Sequence, residues 1–514
     1  MRDVFVIGGG VNGVGIARDL AGRGLSVTLA EMGDLGGATS SASTKLFHGG
    51  LRYLEFFEFG LVRKALIERG VLMEMMPHIS WPMRFVLPYS PDMRFEGDTP
   101  TSKLLGTVMP WMKGRRPAWL IRLGLAMYDR MGGRGHFPPT ATVDLHEDPA
   151  GAPLKDRFEK AFEYSDAWVE DSRLVVLNAR DAAARGAEVL TRTKVVSAER
   201  EGDHWLVRHE DGETRARAIV NAAGPWVSDV ITETLRRNTG EGIRLVRGSH
   251  LVTRKLFDHG KCYFFQGEDG RIIFAIPYET DFTLIGTTDA EHEDPDEKPK
   301  ITDEETEYLL DFASQYFERP VTREDIVHTY SGVRPLYDDG AKSATAATRD
   351  YVLTFEKTAG APLLNVFGGK ITTYRTLSQK AAGMIAERLG NDHGDWTKGA
   401  TLPGGDFAVG GAPVLAAHLI RDYPFLDERW ALRLIRAYGT EARKVLGSAE
   451  SASDLGRDFG ATLTEAEVAW QMEAEWARTA EDVVWRRTKL GLRMDEGQIA
   501  ALDEWMTGQR EAAE

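Results

Sequence analysis

The stretch DVFVIGGGVNGVGIARDLAGRGLSVTLAE, residues 3 to 31, decides the fold of the N-terminal part of this chain. Its apolar and glycine pattern predicts, in order, a buried strand from Val4 to Ile7, glycines at Gly8, Gly10 and Gly13, a helix from Val14 to Arg23, and a strand from Ser26 to Ala30. Gly24 would end the helix, and Glu31 closes the second strand. The stretch therefore predicts a βαβ unit.

This βαβ unit has the spacing of a dinucleotide-binding fingerprint. Glycines let the chain turn tightly and approach a pyrophosphate, while the N–H groups of the helix N-terminus face the phosphates. Glu31 stands eighteen residues after Gly13, where a carboxylate can accept hydrogen bonds from a ribose hydroxyl. The fingerprint alone does not separate FAD from NAD, but the small-residue loop GDLGGATSSAS, residues 33 to 43, looks like a second clamp along a long cofactor.

Length, charge and cysteine usage narrow the class of protein. A chain of 514 residues exceeds the size of a single core, so two or three domains are expected. The net charge of -15 argues against a general affinity for nucleic acid. The single cysteine, Cys262, excludes an intramolecular disulfide and suits a reducing, cytoplasmic compartment. Neither a signal peptide nor a run of roughly 20 apolar residues is visible, so we expect contact with a membrane to be peripheral.

Similar junctions of strand, glycine and helix recur later in the chain. Residues 171 to 186 predict a capped helix followed by a strand, and a hairpin turning near Asp211 and Gly212 leads to a buried strand that ends at AAGP, residues 222 to 225. In LLNVFGGKITTYR, residues 363 to 375, two glycines open another helix. The N-terminus of that helix would stabilise negative charge, such as the charge of a reduced flavin ring.

Seven motifs together resemble one family, the FAD-dependent, aerobic respiratory glycerol-3-phosphate dehydrogenases. In chain order they are GGGVNG with Glu31, ATSSASTKLFHGGLRYLE, NAAGPW, YSGVRPL, TRDY, FGGKITTYR and VVWRRTKLGL, and they extend from residue 4 to about residue 494. The resemblance implies an α/β and α+β fold: a Rossmann-like FAD-binding domain of the glutathione-reductase and amino-acid-oxidase type, a sheet-based substrate domain and a C-terminal helical domain. It also implies oxidation of sn-glycerol 3-phosphate to dihydroxyacetone phosphate, by hydride transfer from C2 to flavin N5, with electrons passed to a membrane quinone.

On this basis we predict an FAD-dependent oxidoreductase region over residues 1–388 and a C-terminal helical cap over residues 389–514. The predicted FAD-binding segments are about 1–50, 165–240 and 330–388, and the predicted substrate-domain segments are about 51–164 and 241–329.

The resemblance also assigns the substrate and cofactor contacts. A phosphate monoester is best held by guanidinium and ammonium groups, and the implied substrate residues are Arg52, Tyr53, Arg334, Arg349 and Lys370. The predicted cofactor contacts are Gly8, Gly10, Asn12, Gly13, Glu31, Thr39, Ser40, Ser41, Lys45, His48, Gly49, Val195, Gly224, Gly369, Lys370 and Thr372.

The catalytic residues are predicted to be His250, Arg52 and Lys370. His250, in VRGSHLV, is our first choice for the base that takes the C2 hydroxyl proton, because imidazole titrates near neutral pH. His48 is the alternative base, although it could instead hold the flavin. Lys370 could serve if burial near Arg334 depressed its pKa. No metal site is expected, because the histidines are scattered and the acidic stretch at 289–297 has the character of a solvated loop.

A basic, apolar segment suggests where the protein meets the membrane that carries the quinone. Residues 103 to 134 contain seven Lys or Arg and one acid, Asp129, among Leu, Met and Trp. This composition suits an interfacial helix on the inner face of the cell membrane. A helical hairpin packed on the substrate domain, with solvated arginines, explains it equally well.

Other functions stay open at this point. A related flavin oxidase could act on an amino acid or a 2-hydroxy acid, or the same substrate could be oxidised with oxygen as acceptor. A non-enzymatic flavin sensor would keep the cofactor motifs without needing the four basic residues Arg52, Arg334, Arg349 and Lys370. The oligomeric state, including a homodimer, is not decided by the sequence.

Overall fold

The computed structural model describes residues 1–95, 99–108, 114–133, 135–237, 241–267, 270–338, 350–356 and 360–513. Two sheets account for the first three quarters of the chain, and a largely helical region follows. This mixed architecture confirms the predicted fold class. Arg349 and part of the basic segment 103–134 lie outside the described residues.

The first sheet has eight strands and a parallel centre. Its strands are β1 (Arg2–Ile7), β2 (Val27–Glu31), β7 (Glu188–Thr191), β8 (Val195–Glu201), β9 (His204–His209), β10 (Gly212–Asn221), β17 (Val352–Phe355) and β18 (Leu363–Phe367). The order is β17-β18-β10-β1-β2-β7, and the pairs from β18 to β7 are parallel. The β8 and β9 strands add an antiparallel extension to β10.

Helices cover one face of this sheet and explain its apolar strands. They are α1 (Val11–Gly22), α5 (Asp171–Ala184) and α8 (Tyr374–Leu389). Val4 and Val6 of β1 pack into the core under these helices, whereas Phe5 and Ile7 pack into a core on the other face. Because successive strand residues point to opposite faces, a strand buried on both sides must be apolar throughout. This alternation explains the unbroken run at residues 4–7.

The second sheet has ten mainly antiparallel strands and is also covered on both faces. Its strands are β3 (Leu46–Phe47), β4 (Ser80–Pro88), β5 (Ala141–Asp144), β6 (Lys160–Val169), β11 (Ile243–Arg254), β12 (Cys262–Gln266), β13 (Ile272–Tyr278), β14 (Phe282–Gly286), β15 (Ala290–His292) and β16 (Ile326–Tyr337). Helix α7 (Asp303–Tyr316) packs on one face, and α2 (Phe59–Met75) and α4 (Ala118–Met131) pack on the other. Helix α3 (Pro100–Val108) precedes α4.

Strand pairing crosses some of the predicted domain limits. Strand β3 pairs with β6, and β16 pairs with β11, so both belong to the second sheet. Their residues nevertheless fall largely in segments predicted for the FAD-binding domain. The acidic stretch 289–297, predicted as a loop, contributes β15, which pairs with β11. The limits of the two N-terminal domains therefore stay an interpretation.

The C-terminal region is built mainly of helices. They are α9 (Ala412–Asp422), α10 (Glu428–Tyr438), α11 (Ala442–Leu446), α12 (Glu465–Glu475) and α13 (Glu496–Ala513), with a two-stranded ribbon of β19 (Asp458–Gly460) and β20 (Leu463–Thr464). A π-helical turn, Asp482–Arg487, lies between α12 and α13; another, Val230–Thr234, follows the short helix α6 (Val227–Asp229). Within the described ranges, none of the helices is both long and apolar enough to cross a bilayer.

Candidate active site

A cleft of about 1560 Å³ lies where the two sheets meet. Four neighbouring parallel strands, β2, β1, β10 and β18, end at this cleft, and the residues that follow them line it: Gly8, Glu31, Ala222, Gly224, Gly368 and Lys370. The second sheet contributes lining residues from β11 and β16, among them Gly248, His250 and Arg334. In sheets of this type, ligands bind outside the carboxyl ends of the strands.

The glycine fingerprint shapes the floor of the cleft. Gly8 has φ of +106°, and a Cβ there would lie 2.6 Å from the carbonyl oxygen of Ala222. A Cβ on Gly13 would lie 1.9 Å from the carbonyl oxygen of Gly8, so this residue is needed where α1 packs against β1. The N-cap of α1 is Gly10, which has no capping side chain, and the N–H of Val11 donates to Ser40 Oγ at 3.0 Å. The N-terminus of α1 therefore opens on the cleft.

Glu31 is held by the backbone on both sides. Its Oε2 accepts from the Gly9 N–H at 2.6 Å, and its Oε1 accepts from the Gly33 N–H at 2.8 Å. A Cβ on Gly9 would lie 2.7 Å from the Cβ of Glu31, so only glycine permits this approach. Burial raises the pKa of Glu31, and the two backbone donors lower it. The carboxylate is thus oriented at the cleft edge before any ligand arrives.

Four of the predicted cofactor residues are described by the structure but do not line the cleft: Gly13, Ser41, Lys45 and Gly49. Lys45 is buried, and its Nζ donates to Asp171 Oδ1 at 2.7 Å and to the Ser41 carbonyl at 3.2 Å. The Lys45 side chain therefore stabilises the loop around residues 41–45 without lining the cleft. The other predicted cofactor residues line the cleft: Gly8, Gly10, Asn12, Glu31, Thr39, Ser40, His48, Val195, Gly224, Gly369, Lys370 and Thr372.

Three basic residues and one tyrosine predicted for the substrate meet in this cleft. They are Arg52, Tyr53, Arg334 and Lys370. The ammonium of Lys370 lies 4.0 Å from the centroid of the Tyr53 ring. Arg334 Nη2 donates to the Thr288 carbonyl at 3.0 Å and to Asp289 Oδ1 at 2.5 Å.

Gly50 permits the turn that presents Arg52 and Tyr53. Its φ is +73°, and a Cβ there would lie 2.3 Å from the Tyr53 ring. The next residues form a 3-10 turn, Leu51–Phe56. The glycine pair therefore lets two side chains from one short turn face the cleft.

His250 lines the cleft from β11 but is almost fully buried. Its ring stacks on Tyr330 with centroids 4.7 Å apart, and Nε2 lies 2.9 Å from Thr44 Oγ1. Nδ1 finds no hydrogen-bond partner within the described ranges. Burial, followed by the charges of Lys45 and Arg334, lowers the pKa of His250 to about 3. The imidazole is therefore neutral at pH 7.

A buried cluster beside the loop at residues 48–53 was not predicted. The Tyr128 hydroxyl accepts from the Gly49 N–H at 2.7 Å and donates to Asp166 at 2.8 Å, and Arg69 Nη1 donates to the same carboxylate at 2.5 Å. Burial raises the pKa of Asp166 to about 6, although Arg69 and Tyr128 lower it. These residues lie far apart in sequence, and no local pattern connects them to residues 48–53.

Comparison with known proteins identifies the chain. Residues 3–375 match the family described as FAD dependent oxidoreductase, and residues 396–507 match the C-terminal domain of alpha-glycerophosphate oxidase. The aerobic glycerol-3-phosphate dehydrogenase of Escherichia coli (strain K12) is 45% identical over 98% of this chain and 97% of its own. The chain belongs to the FAD-dependent glycerol-3-phosphate dehydrogenase family. The predicted resemblance is confirmed.

Two further relatives bear on substrate and cofactor. The D-erythritol 1-phosphate dehydrogenase of Brucella abortus (strain 2308) is 49% identical over 98% of this chain and 97% of its own. The crystal structure of the glycerol-3-phosphate dehydrogenase from Bacillus halodurans, complexed with FAD, superposes with a TM-score of 0.73 at 26% identity, covering 99% of this chain and 90% of that one. This FAD-dependent dehydrogenase family therefore includes relatives named for two polyol phosphates.

FAD is the cofactor of the family, and the described cleft fits it. A dinucleotide needs backbone donors for its pyrophosphate and an acceptor for its ribose, and the open N-terminus of α1 and the oriented Glu31 provide both. Thr39, Ser40, His48, Gly369 and Lys370 line the same cleft.

Proposed function

We propose that this chain oxidises sn-glycerol 3-phosphate to dihydroxyacetone phosphate. Bound FAD would supply the acceptor for the hydride that leaves C2. The observation that carries the proposal is the convergence of Arg52, Arg334 and Lys370 in the cofactor cleft. A phosphate monoester is nearly a dianion at neutral pH, and several cations suit it better than they suit a single carboxylate. The convergence therefore favours a polyol phosphate over an amino acid or a 2-hydroxy acid.

We propose the following roles for the substrate residues. The planar forks of Arg52 and Arg334 bind phosphate oxygens, and Lys370 adds a point charge beside Tyr53. Arg334 would exchange Asp289 for the phosphate, because both side chains of that pair are partly exposed. Arg349, predicted from the TRDY motif, lies outside the described residues and stays a prediction.

His250 is our proposed acceptor of the C2 hydroxyl proton. Burial is the main cause of its low pKa, about 3, and the charges of Lys45 and then Arg334 lower the pKa further. A phosphate dianion bound to Arg334 would cancel that charge, so substrate binding raises the basicity of His250. The Thr44 hydroxyl beside Nε2 would orient the ring.

D-erythritol 1-phosphate is the second candidate substrate, because a full-length relative with 49% identity carries that name. It presents the same phosphate group on a longer polyol, so the proposed cationic residues suit both compounds. The two candidates differ only at the end of the polyol that is remote from the phosphate.

We propose a membrane quinone as the electron acceptor, reached by peripheral binding to the inner face of the cell membrane. The basic segment supports this proposal. The Ile121, Leu125 and Tyr128 face of α4 packs into the core, whereas Trp119 and Leu123 are 49% and 50% exposed. Arg115, Arg122 and Arg130 are exposed as well.

Elements next to α4 also expose large apolar side chains, which are Phe56, Phe57, Phe59 and Leu104. Aromatic and cationic side chains together are typical of interfacial surfaces.

Anaerobic titration of the holoenzyme, followed by flavin absorbance, tests the substrate. We expect sn-glycerol 3-phosphate to bleach the flavin, while glycerol, amino acids and 2-hydroxy acids leave it oxidised. D-erythritol 1-phosphate is titrated in parallel, and the higher ratio of reduction rate to dissociation constant identifies the preferred substrate. A flavin that stays oxidised with both phosphates would refute the proposal.

Sedimentation with anionic liposomes tests the membrane surface. The double variant Trp119→Ser, Leu123→Ser should lose liposome binding and quinone reduction but keep turnover with a soluble dye. Val414→Ser is the matched control, because Val414 is an exposed apolar residue of α9. Undiminished binding by the double variant would show that another surface meets the membrane.

A further inference from the structure

The C-terminal domain reaches into the cofactor cleft. Thr479, Glu481, Asp482 and Arg486 line it together with the residues that follow β2. All four lie within residues 396–507, which match the C-terminal domain of alpha-glycerophosphate oxidase. Asp482 and Arg486 belong to a π-helical turn, a rare conformation that is frequent at functional sites.

Two arginines of this turn bind one carboxylate, that of Asp34, in the loop that follows β2. Arg487 is fully buried, and its Nη1 and Nη2 donate to Asp34 Oδ2 and Oδ1 at 2.7 and 2.8 Å. Arg486 Nε donates to Asp34 Oδ2 at 2.5 Å. Asp34 therefore accepts a bidentate fork and a third charge-assisted hydrogen bond, the strong class of such contacts. Asp34 itself lines the cleft, three residues after Glu31.

A second carboxylate closes the contacts into a ring. Asp482 accepts from Arg486 Nη2 at 2.5 Å and from Arg192 Nη2 at 2.6 Å. Burial by itself raises the pKa of Asp482, but the Arg478 backbone N–H and the two guanidiniums lower it to about 2, so Asp482 is ionised.

The ring returns to Glu31 through the backbone. The N–H of Arg192 donates to the Gly33 carbonyl at 2.9 Å, and the N–H of Thr193 donates to the Glu31 carbonyl at 2.8 Å. The end of β2 and the loop after it are thus held by the residues that follow β7 on one side and by the C-terminal domain on the other.

We propose that Asp34, Arg192, Asp482, Arg486 and Arg487 form a cofactor clamp. The clamp fixes the loop at residues 31–34 in the geometry that binds the ribose end of FAD. Arg486 and Arg487 are positioning residues, which act on the cofactor through Asp34 and Glu31. The C-terminal domain is consequently part of the FAD site as well as a cap.

The competing explanation is that these ion pairs only dock two domains. The chain offers a matched control for it. Arg180 of α5 donates to Glu441 at 2.7 Å, also between the cofactor-binding region and the C-terminal domain, and with similarly low exposure. Neither Arg180 nor Glu441 lines the cleft. A docking role predicts similar behaviour for both pairs, whereas the clamp predicts that only its own arginines affect FAD binding.

FAD release from the holoenzyme distinguishes the two explanations. Purified holoenzymes of the wild type, Arg487→Gln, Arg486→Gln and Arg180→Gln are diluted, and the fluorescence of released FAD gives the dissociation constant. Circular dichroism and thermal unfolding with excess FAD check the fold. We expect Arg487→Gln and Arg486→Gln to raise the FAD dissociation constant by about tenfold or more, because each variant removes two charge-assisted hydrogen bonds of the clamp and the loss of one such bond already corresponds to about tenfold. Arg180→Gln should leave it within about twofold of the wild type, since neither member of the Arg180–Glu441 pair lines the cleft.

Arg486→Gln decides the outcome if Arg487→Gln does not fold, because it keeps the buried Arg487 and Asp34 pair. An unchanged dissociation constant in Arg486→Gln would overturn the clamp. Equal weakening in Arg180→Gln would also overturn it and leave a docking role.

Discussion

Replacing Arg334 by Gln is the most direct test of how the cleft binds its substrate. Arg334 lies on β16, its side chain is 36% exposed, and it pairs with Asp289, whose side chain is 54% exposed. The substitution removes the guanidinium charge but keeps a polar side chain, although a shorter one. We expect the substrate dissociation constant to rise, because the phosphate loses a charged donor.

The size of the effect follows from two contributions. A hydrogen bond between charged groups contributes about 1.5 to 3 kcal/mol. The Asp289 pair that the phosphate displaces is solvent-exposed, so losing it costs at most about 1 kcal/mol. The net loss in Arg334→Gln is therefore about 0.5 to 3 kcal/mol, which is roughly a 2- to 150-fold weaker substrate complex. Asp289→Asn should act in the opposite direction by less than about fivefold, because it frees the guanidinium.

The assay is the anaerobic half-reaction in a stopped-flow instrument. The dependence of flavin bleaching on sn-glycerol 3-phosphate concentration separates the dissociation constant from the limiting rate. Arg244→Gln is the matched control. Arg244 lies on the neighbouring strand β11 and forms an ion pair with Glu291 of β15, but it does not line the cleft.

Two results would refute this reasoning. An unchanged dissociation constant in Arg334→Gln would remove Arg334 from the phosphate site. A weaker complex in Asp289→Asn would show that Asp289 helps to bind the substrate, for example through a polyol hydroxyl, instead of competing with it.

Three further predictions concern buried polar groups. His250→Asn should slow the limiting rate of flavin reduction in the same assay with little change in the substrate dissociation constant. Tyr128→Phe leaves the Gly49 N–H without its acceptor, so we expect a loss of about 1 to 3 kcal/mol of stability in thermal unfolding and slower reduction, because the loop bearing Arg52 and Tyr53 is held less firmly. Burial lowers the pKa of both His78 and His250 from 6.5 to about 3, so below pH 6.5 the unfolded chain binds protons that the folded chain does not. Stability should therefore fall as the pH drops from 7 to 5, and His78→Leu should make this decline shallower; an identical decline in the variant would exclude His78 as a contributor.

The correctly predicted features depend only on residues that are close together in the sequence. The βαβ unit at residues 3–31 appears as β1, α1 and β2, because strand and helix periods and glycine positions are local properties. The helix begins at Val11, three residues before the predicted start, since the N-cap is Gly10 instead of a later residue. The hairpin turning near Asp211 is likewise present as β9 and β10.

Contacts between distant residues were not predictable in this way. Lys45, predicted as a cofactor contact, has its ammonium group paired with Asp171, 126 residues away. The acidic stretch 289–297 was expected to be a loop, yet its residues 290–292 form strand β15 and pair with β11. Tyr128 lies in a segment whose composition fitted an interfacial helix and a packed helical hairpin equally well, and only the packing of α4 brings its hydroxyl to Gly49.

The sequence by itself determined the cofactor class and the family, because each glycine fingerprint and each motif such as HGGLRYLE is a run of neighbouring residues. Twelve of the sixteen predicted cofactor residues also line the cleft. Only the tertiary structure decided which charges meet: Arg334 with Asp289, and Arg487 with Asp34 across 453 residues. An ion pair needs two oppositely charged groups within a few ångströms of each other. The sequence lists many acids and arginines but does not give the distances between them, which are set by the tertiary fold.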